Sequence, residues 1–233
     1  MLYGLGIVDF IGHLSIRLDD ERMLIKPRPV SWYHLTVDDL IVIDMEGRRE
    51  DGVVTERPPV REWPLHAEVY RARRDVRSVL HCHPRDSVLM ATLGLKLEPI
   101  DRDAMNFPGG VPVWDDRACL VEHQTMVETG TMGKSVAASL GAGRALILKH
   151  HGTVVVGPEV GDVVRTANFL ERAARTHLLA ASLRPPPFMD PGLAGAIEAA
   201  WQADRPGYGL SSPSRVVARE QWAMLQRYHI DRE

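Results

Sequence analysis

The chain has 233 residues, and its 28 Lys and Arg against 31 Asp and Glu give a formal net charge of −3. With 45% hydrophobic and 25% charged residues it has the composition of an ordinary globular protein, and its length allows one domain with a large core. The near-neutral balance argues against nucleic acid or an anionic membrane as the main partner, because both require a concentrated positive field.

The number of cysteines and the lengths of the apolar runs indicate the cellular compartment of the protein. Cys82 and Cys119 are too few for a disulfide framework, which favours a reducing compartment. No apolar run approaches the ~20 residues that a membrane span requires, and the N-terminus lacks the basic and apolar regions of a signal peptide. We therefore expect a soluble, cytoplasmic protein.

The first elements in chain order are three strands and a helix. Residues 14–18 and 23–25 flank a polar turn and predict a β-hairpin. Residues 40–44 predict a third strand that ends in a glycine turn. Residues 64–74 predict a helix whose apolar residues share one face, with a proline that the first turn tolerates.

The central part of the chain continues the alternation. Residues 76–83 predict a strand that a proline stops. Residues 86–93 and 132–140 predict helices that end at glycines. Residues 145–149 and 153–156 are apolar, strand-like runs.

A long amphipathic helix and a tail complete the chain. Residues 160–182 carry apolar side chains at helical spacing, and three prolines at 185–187 end that pattern. Two further helical stretches are predicted at 193–203 and 216–229. The whole pattern predicts an α/β protein with helices on both sides of one sheet.

The first candidate metal ligands are two histidines at the end of a predicted strand. His81 and His83 are two residues apart, so their side chains project from the same face and can hold one metal ion. Cys82 points to the opposite face, where we expect it in the core. The alternative is a pair of partly exposed strand histidines without a ligand.

A third histidine strengthens the metal hypothesis. His150 and His151 follow an apolar strand and precede Gly152, which allows close approach of backbone or ligand. Three neutral imidazoles with an open coordination position are the ligand set of a catalytic divalent metal such as zinc. The spacing does not determine which of the two histidines coordinates.

Glu62 is the candidate acid or base. It lies just before the predicted helix, and His66 follows four residues later, so both share a face if the helix begins at residue 61. A carboxylate beside a metal is either a ligand or the group that moves a proton. The alternative is a helix N-terminal glutamate that complements the helix dipole.

Together, these segments resemble the class II aldolase/adducin family, which includes fuculose-phosphate aldolase, ribulose-phosphate epimerase and related decarboxylases. The resemblance extends over residues 4–181. The matching segments are residues 12–17, 24–27, 38–44, 62–66, 70–73, 75–76, 79–84 and 148–152.

The resemblance implies a three-layer α/β/α sandwich with a central mixed, largely antiparallel sheet. Residues 1–182 would form the metal-binding domain, and residues 183–233 a helical tail that packs on this domain or on a neighbouring subunit. Family members usually form cyclic homotetramers with active sites at subunit interfaces. A neighbouring chain often contributes a tyrosine, for which Tyr208 and Tyr228 are the candidates.

The resemblance also implies roles for the candidate residues. His81, His83 and His151 would bind a divalent metal, usually Zn²⁺, with Mn²⁺, Co²⁺ or Fe²⁺ as alternatives. Glu62 would be the catalytic acid or base and would also touch the metal before substrate binds.

Three departures from the phosphosugar members point to another substrate. Their phosphate-binding positions hold small hydroxyl residues and glycines, whereas this chain has Gly12-His13, Arg28-Pro29 and Val60-Arg61. Close binding of phosphate requires hydroxyls and backbone amides, and proline has no N–H. We therefore expect a substrate without a phosphate group.

The Gly-His-Leu-Ser pattern resembles the branch that contains decarboxylases of hydroxylated aromatic acids. His13, Lys26 and Arg61 are the candidate substrate-binding residues, which would meet a carboxylate or phenolic oxygen. The alternative for each of them is a solvated surface position.

The sequence therefore predicts a divalent-metal-dependent carbon–carbon lyase that acts on a small molecule, with no nucleic acid or membrane partner. It would decarboxylate a hydroxylated aromatic acid, or act as an aldolase on a non-phosphorylated substrate, through an enolate or phenolate that a Lewis-acid metal stabilises. The alternatives are a sugar-phosphate aldolase or epimerase, an iron-dependent oxygenase on the same fold, and a non-catalytic adducin-like module.

Overall fold

A computed structural model describes residues 1–52, 57–115 and 126–183, together with residues 192, 193, 195, 196 and 199. Cys119, Tyr208, Tyr228 and the predicted helix at 216–229 lie outside the described residues, and so does most of the predicted helix at 193–203.

Seven strands of the described chain form one sheet, and helices cover both of its faces. The strands are β1 (His13–Arg17), β2 (Arg22–Ile25), β3 (Ile41–Asp44), β4 (Ser78–Cys82), β5 (Val113–Trp114), β6 (Ala145–Leu148) and β7 (Gly152–Gly157). The α-helices are α1 (Trp63–Ala72), α2 (Arg85–Thr92), α3 (Gly130–Leu140) and α4 (Val160–Leu183). Within the described residues, no helix has an apolar stretch long enough to cross a bilayer.

The strand order is β3-β2-β1-β4-β7-β6-β5. Neighbouring strands are antiparallel except β5 and β6, which are parallel. This confirms the expected mixed, largely antiparallel sheet. The predicted hairpin forms between β1 and β2, with Ile16 opposite Leu24.

Two hydrophobic cores lie on opposite faces of the sheet. Helices α1 and α3 pack in one core with Val79 of β4, whereas α2 and α4 pack in the other with Leu80 and Cys82. Alternate residues of a strand point to opposite faces, so each face of β4 has its own helical cover. The three-layer α/β/α arrangement is therefore confirmed, and Cys82 belongs to a core as expected.

The observed element ends differ slightly from the sequence-based boundaries. Helix α1 begins at Trp63, and Glu62 is its N-cap residue instead of lying inside the helix. Strand β4 ends at Cys82, so His83 lies just beyond it. Strand β5 was not predicted, because two residues, Val113–Trp114, are too few to show a period-2 pattern.

Candidate metal centre and substrate cavity

Three central strands bring the candidate ligands together. Strand β4 lies between β1 and β7, and residue 13 of β1 stands directly opposite residue 81 of β4. His81 occupies the sheet face that carries Val79, where α1 packs. The N-terminus of α1 therefore places Glu62 beside the histidines at the ends of the strands.

The three predicted metal ligands and the predicted acid, Glu62, form one tight cluster. Nε2 of His81 lies 3.1 Å from Nε2 of His83 and 3.3 Å from Oε2 of Glu62. Nε2 of His151 lies 3.7 Å from Oε1 of Glu62. One ligand atom from each of the four residues falls within 4.8 Å of all the others.

The turn between β6 and β7 determines which of the two adjacent histidines enters the cluster. His150 adopts a positive φ of 61° and is exposed. His151 follows it and turns back toward Glu62. His151 therefore joins the cluster, whereas His150 is exposed to solvent.

Hydrogen bonding and protonation state allow the imidazoles to bind a metal. Nδ1–H of His81 donates a hydrogen bond to the carbonyl oxygen of Thr153 at 3.0 Å, which leaves the lone pair of Nε2 directed into the cluster. Burial and the neighbouring His81 lower the pKa of His83 to about 3 and that of His151 to about 4. Neutral imidazoles are the form that binds a metal.

Glu62 is buried and held by a backbone donor. Its Oε1 accepts a hydrogen bond of 2.8 Å from the N–H of Val127. Burial opposes ionisation, but His81 and His13 beside the carboxylate outweigh it, so the pKa of Glu62 lies well below its usual range. Glu62 is therefore an ionised carboxylate that can accept a proton or complete a coordination shell.

This donor set fits a divalent metal ion. Imidazole nitrogens and a carboxylate oxygen are the ligands that Zn²⁺ and related transition metals prefer. The chain therefore has a histidine and glutamate cluster that is able to bind a divalent metal.

The cluster opens into a cavity of about 590 Å³. The cavity wall contains all three candidate substrate-binding residues and three of the cluster residues, namely His13, Lys26, Arg61, Glu62, His83 and His151. Apolar side chains form much of the remaining wall, namely Phe10, Ile11, Pro29, Val30, Val60 and Met126. The structure therefore brings every predicted site residue to one place.

The three candidate substrate-binding residues differ in environment. His13 is buried, and burial lowers its pKa to about 4. Lys26 is 4% exposed, and burial lowers its pKa. Arg61 is largely exposed and lies 3.9 Å from the carboxylate of Glu128.

Sequence reasoning missed the residues beneath the cavity. Ser15, His66 and Tyr70 form a buried hydrogen-bonded group with His13. One signal was available: His13 directly precedes the predicted strand at residues 14–18, and a strand longer by one residue places His13 and Ser15 on one face. In the structure this face meets the helix that carries His66 and Tyr70. The pairing of these two elements, however, is not contained in local sequence patterns.

The family model of the class II aldolase and adducin N-terminal domain matches residues 1–178. The chain belongs to the class II aldolase and adducin family. Among curated relatives of this family, 3,4-dihydroxyphthalate decarboxylase from Terrabacter sp. strain DBF63 is 33% identical over 186 residues, which cover 74% of each chain. The 3,4-dihydroxyphthalate decarboxylase from Rhodococcus jostii strain RHA1 is 30% identical over 183 residues, covering 74% of this chain and 72% of that protein.

Solved structures of the class II aldolase family share the fold. L-fuculose 1-phosphate aldolase from Glaciozyma antarctica PI12 has a TM-score of 0.78 at 21% identity, with 99% of this chain and 86% of that chain covered. This likeness concerns the fold. Family membership and the homologous decarboxylases identify the chain as a lyase.

Gly152 at the start of β7 leaves no room for a side chain beside the cluster. A Cβ atom there would lie 2.5 Å from the carbonyl oxygen of Cys82 and 3.0 Å from ring atoms of both His81 and His83. We expect Gly152→Ala to lower the free energy of unfolding by about 1–3 kcal/mol through overpacking and to weaken metal binding. Urea unfolding and titration of the metal-free protein with Zn²⁺ measure the two effects.

The matched control for this substitution is Gly109→Ala, because no atom lies within 4 Å of a Cβ at position 109. An unchanged metal affinity in Gly152→Ala would show that the close approach of β7 does not shape the cluster.

Proposed function

We propose that this lyase is a divalent-metal-dependent decarboxylase of a hydroxylated aromatic carboxylic acid. The observation that carries the proposal is the combination of a histidine and glutamate cluster with a largely apolar cavity that also contains the buried side chain of Lys26. The decarboxylases from Terrabacter and Rhodococcus give support from sequence.

His81, His83 and His151 are the proposed metal ligands, with Zn²⁺ as the proposed metal. All-nitrogen ligation by three neutral imidazoles with an open position is typical of catalytic zinc. A cation held there would act as a Lewis acid on substrate oxygens while the carbon–carbon bond breaks. Mn²⁺, Co²⁺ and Fe²⁺ accept the same ligands.

Lys26 is the proposed site for a carboxylate of the substrate. Among the described residues no carboxylate lies within ion-pair distance of its ammonium group, which contacts the Pro27 carbonyl at 3.4 Å and lies 5.7 Å from the centre of the Trp32 ring. A buried charge without a partner is costly, so an anionic ligand would restore its pairing. Arg61 at the cavity wall is the proposed second cationic contact.

Glu62 is the proposed acid and base. As a carboxylate it can take the proton of a ring hydroxyl, which it later returns to the ring carbon. The bond between that carbon and the departing carboxylate breaks, its electron pair stays on the ring carbon, and carbon dioxide leaves. His13, which faces Glu62 at 3.5 Å, is proposed to bind the hydroxyl or carboxylate oxygen.

A sugar phosphate is less well supported as substrate, although the fold is that of sugar-phosphate aldolases. Pro29 and Val60 line the cavity. Phosphate binding at close range uses hydroxyl and N–H groups, but Pro29 has no N–H and neither side chain has a hydroxyl.

A substrate screen tests the proposed reaction. Purified protein loaded with Zn²⁺, Mn²⁺ or Fe²⁺ is incubated with dihydroxybenzoates, dihydroxyphthalates, hydroxy-aldehydes and sugar phosphates. Carbon dioxide release from a hydroxylated aromatic acid supports the proposal. Carbonyl release from a sugar phosphate or hydroxy-aldehyde, or oxygen consumption with iron alone, would replace it with an aldolase or an oxygenase.

Lys26→Met tests the carboxylate site. We expect KM for the aromatic acid to rise about 10- to 100-fold, because a hydrogen bond to a charged group contributes about 1.5–3 kcal/mol. Lys149→Met removes a lysine that pairs with Asp115 at 2.8 Å and serves as the matched control. An unchanged KM in Lys26→Met would contradict the assignment.

We further propose that residues 1–182 form the catalytic domain and that residues 183–233 form a helical tail. The protein is also proposed to be a cytoplasmic homotetramer. An exposed aromatic residue at the cavity supports an assembly that covers its entrance, since Phe10 lines the cavity and is 70% exposed.

A further inference from the structure

A line of buried hydrogen bonds runs from the cavity into the sheet beneath α1. Nδ1 of His13 lies 2.7 Å from Nε2 of His66, and Nδ1 of His66 lies 2.7 Å from Oγ of Ser15. Oγ of Ser15 lies 2.8 Å from the hydroxyl of Tyr70. These four residues constitute the His13–Tyr70 chain.

Every member of the His13–Tyr70 chain is buried. The exposed fraction is 5% for His13, 1% for Tyr70, and zero for Ser15 and His66. Because water cannot substitute for a missing partner at such positions, each contact must pair one donor with one acceptor. A neutral imidazole has one of each, so the direction of one hydrogen bond fixes the direction of all the others.

The inner end of the His13–Tyr70 chain favours one direction of hydrogen-bond donation, from Tyr70 toward His13. Burial raises the pKa of Tyr70, so its hydroxyl keeps its proton. The nearest acceptor for that proton is Ser15 Oγ at 2.8 Å, whereas the Arg77 carbonyl is 3.4 Å away. Ser15 then donates to Nδ1 of His66.

The outer end favours the same direction. If His66 accepts at Nδ1, its Nε2–H donates to Nδ1 of His13, and His13 carries its own hydrogen on Nε2. That Nε2 lies 3.5 Å from Oε2 of Glu62, and a carboxylate oxygen only accepts. In the opposite direction, the Nε2 atom of His13 would carry a lone pair and no hydrogen, and this lone pair would face the lone pairs of the Glu62 carboxylate.

We propose that Ser15 and His66 are positioning residues that hold His13 in the tautomer with hydrogen on Nε2. His13 then presents a fixed hydrogen-bond donor to the cavity, on the side of Glu62. This donor suits a carboxylate or phenolate oxygen of the substrate. The identity of that acceptor rests on the proposed function. The tautomer itself does not depend on which substrate binds.

The first test observes the tautomer directly. Protein labelled with ¹⁵N-histidine and loaded with Zn²⁺, which is diamagnetic, is studied by long-range ¹H–¹⁵N NMR, and His13→Gln identifies the His13 signals. We expect hydrogen on Nε2 and none on Nδ1. Ser15→Ala should give a mixture of both tautomers, because His66 loses its donor, whereas Tyr70→Phe should retain the wild-type pattern.

Hydrogen on Nδ1 of His13 in the wild-type protein would overturn the proposal. An unchanged tautomer in Ser15→Ala would overturn the role of Ser15. Neither result depends on turnover. If the protein shows the expected tautomer but decarboxylates no aromatic acid, the proposed function is contradicted and the tautomer assignment is still supported.

The second test separates positioning from packing. His66→Leu fills the same space without a donor, and we expect kcat to fall about 10- to 100-fold, as for other residues that orient an active-site group. His66→Gln offers an amide N–H near the position of Nε2 and should recover most of the loss. If His66→Leu and His66→Gln lowered kcat equally while both unfolded at the wild-type temperature, the role of His66 would be only structural.

Discussion

Substituting His83 or His151 with alanine should remove the metal from the purified protein and lower turnover at least about 10³-fold, because a Lewis-acid metal contributes several kcal/mol to transition-state stabilisation. Both side chains lie at the edge of the cluster and line the cavity. They can therefore be truncated with less damage to the core than His81, which is fully buried. Metal analysis and steady-state kinetics measure the two losses.

The matched control is His150→Asn. His150 precedes His151 but is exposed, and its φ of 61° is a conformation that asparagine tolerates. The control should retain metal and activity. If His83→Ala kept a full complement of metal, or if His150→Asn lost it, the assigned ligand set would be wrong.

Glu62→Gln should retain the metal and lower kcat by about 10²- to 10⁴-fold, the usual contribution of a general acid or base. The amide oxygen of glutamine can still accept the hydrogen bond that Glu62 receives from Val127 at 2.8 Å. The side chain therefore stays in place but can no longer take up and return a proton. KM should change far less than kcat, which kinetics on the metal-loaded variant will determine.

Glu68→Gln is the control for this substitution. Glu68 is also a buried carboxylate of the α1 region, but its charged partner is Arg71 and not the histidine cluster. A Glu62→Gln variant with wild-type kcat would exclude proton transfer by Glu62. Loss of metal in the same variant would instead assign Glu62 to coordination.

Local rules predicted the residues of the histidine and glutamate cluster but not how they assemble. The period-2 rule placed His81 and His83 on one face because it depends only on neighbouring residues. The position of residue 13 opposite residue 81 is a matter of register between strands distant in sequence, and register depends on tertiary packing. Strand β5 was missed for a different reason, since its two residues are too few to show a period-2 pattern.

The substrate side was less predictable than the metal side. The sequence identified Lys26 and Arg61 as candidates, yet one is buried and the other is largely exposed. Trp32 lies beside Lys26 and Glu128 lies beside Arg61 only after folding, so the sequence did not show these environments. The contacts of His66 were likewise hidden, because its hydrogen-bond partners His13 and Ser15 lie on β1, far from α1 in the sequence.

The central claim is that imidazoles from β4 and from the β6–β7 turn hold one divalent cation beside Glu62. Crystals of the zinc-loaded protein, measured at energies above and below the zinc absorption edge, test it directly. We predict one anomalous peak per chain about 2.0–2.1 Å from Nε2 of His81, His83 and His151. A zinc ion bound elsewhere, or fully active crystals without a peak at this position, would contradict the claim.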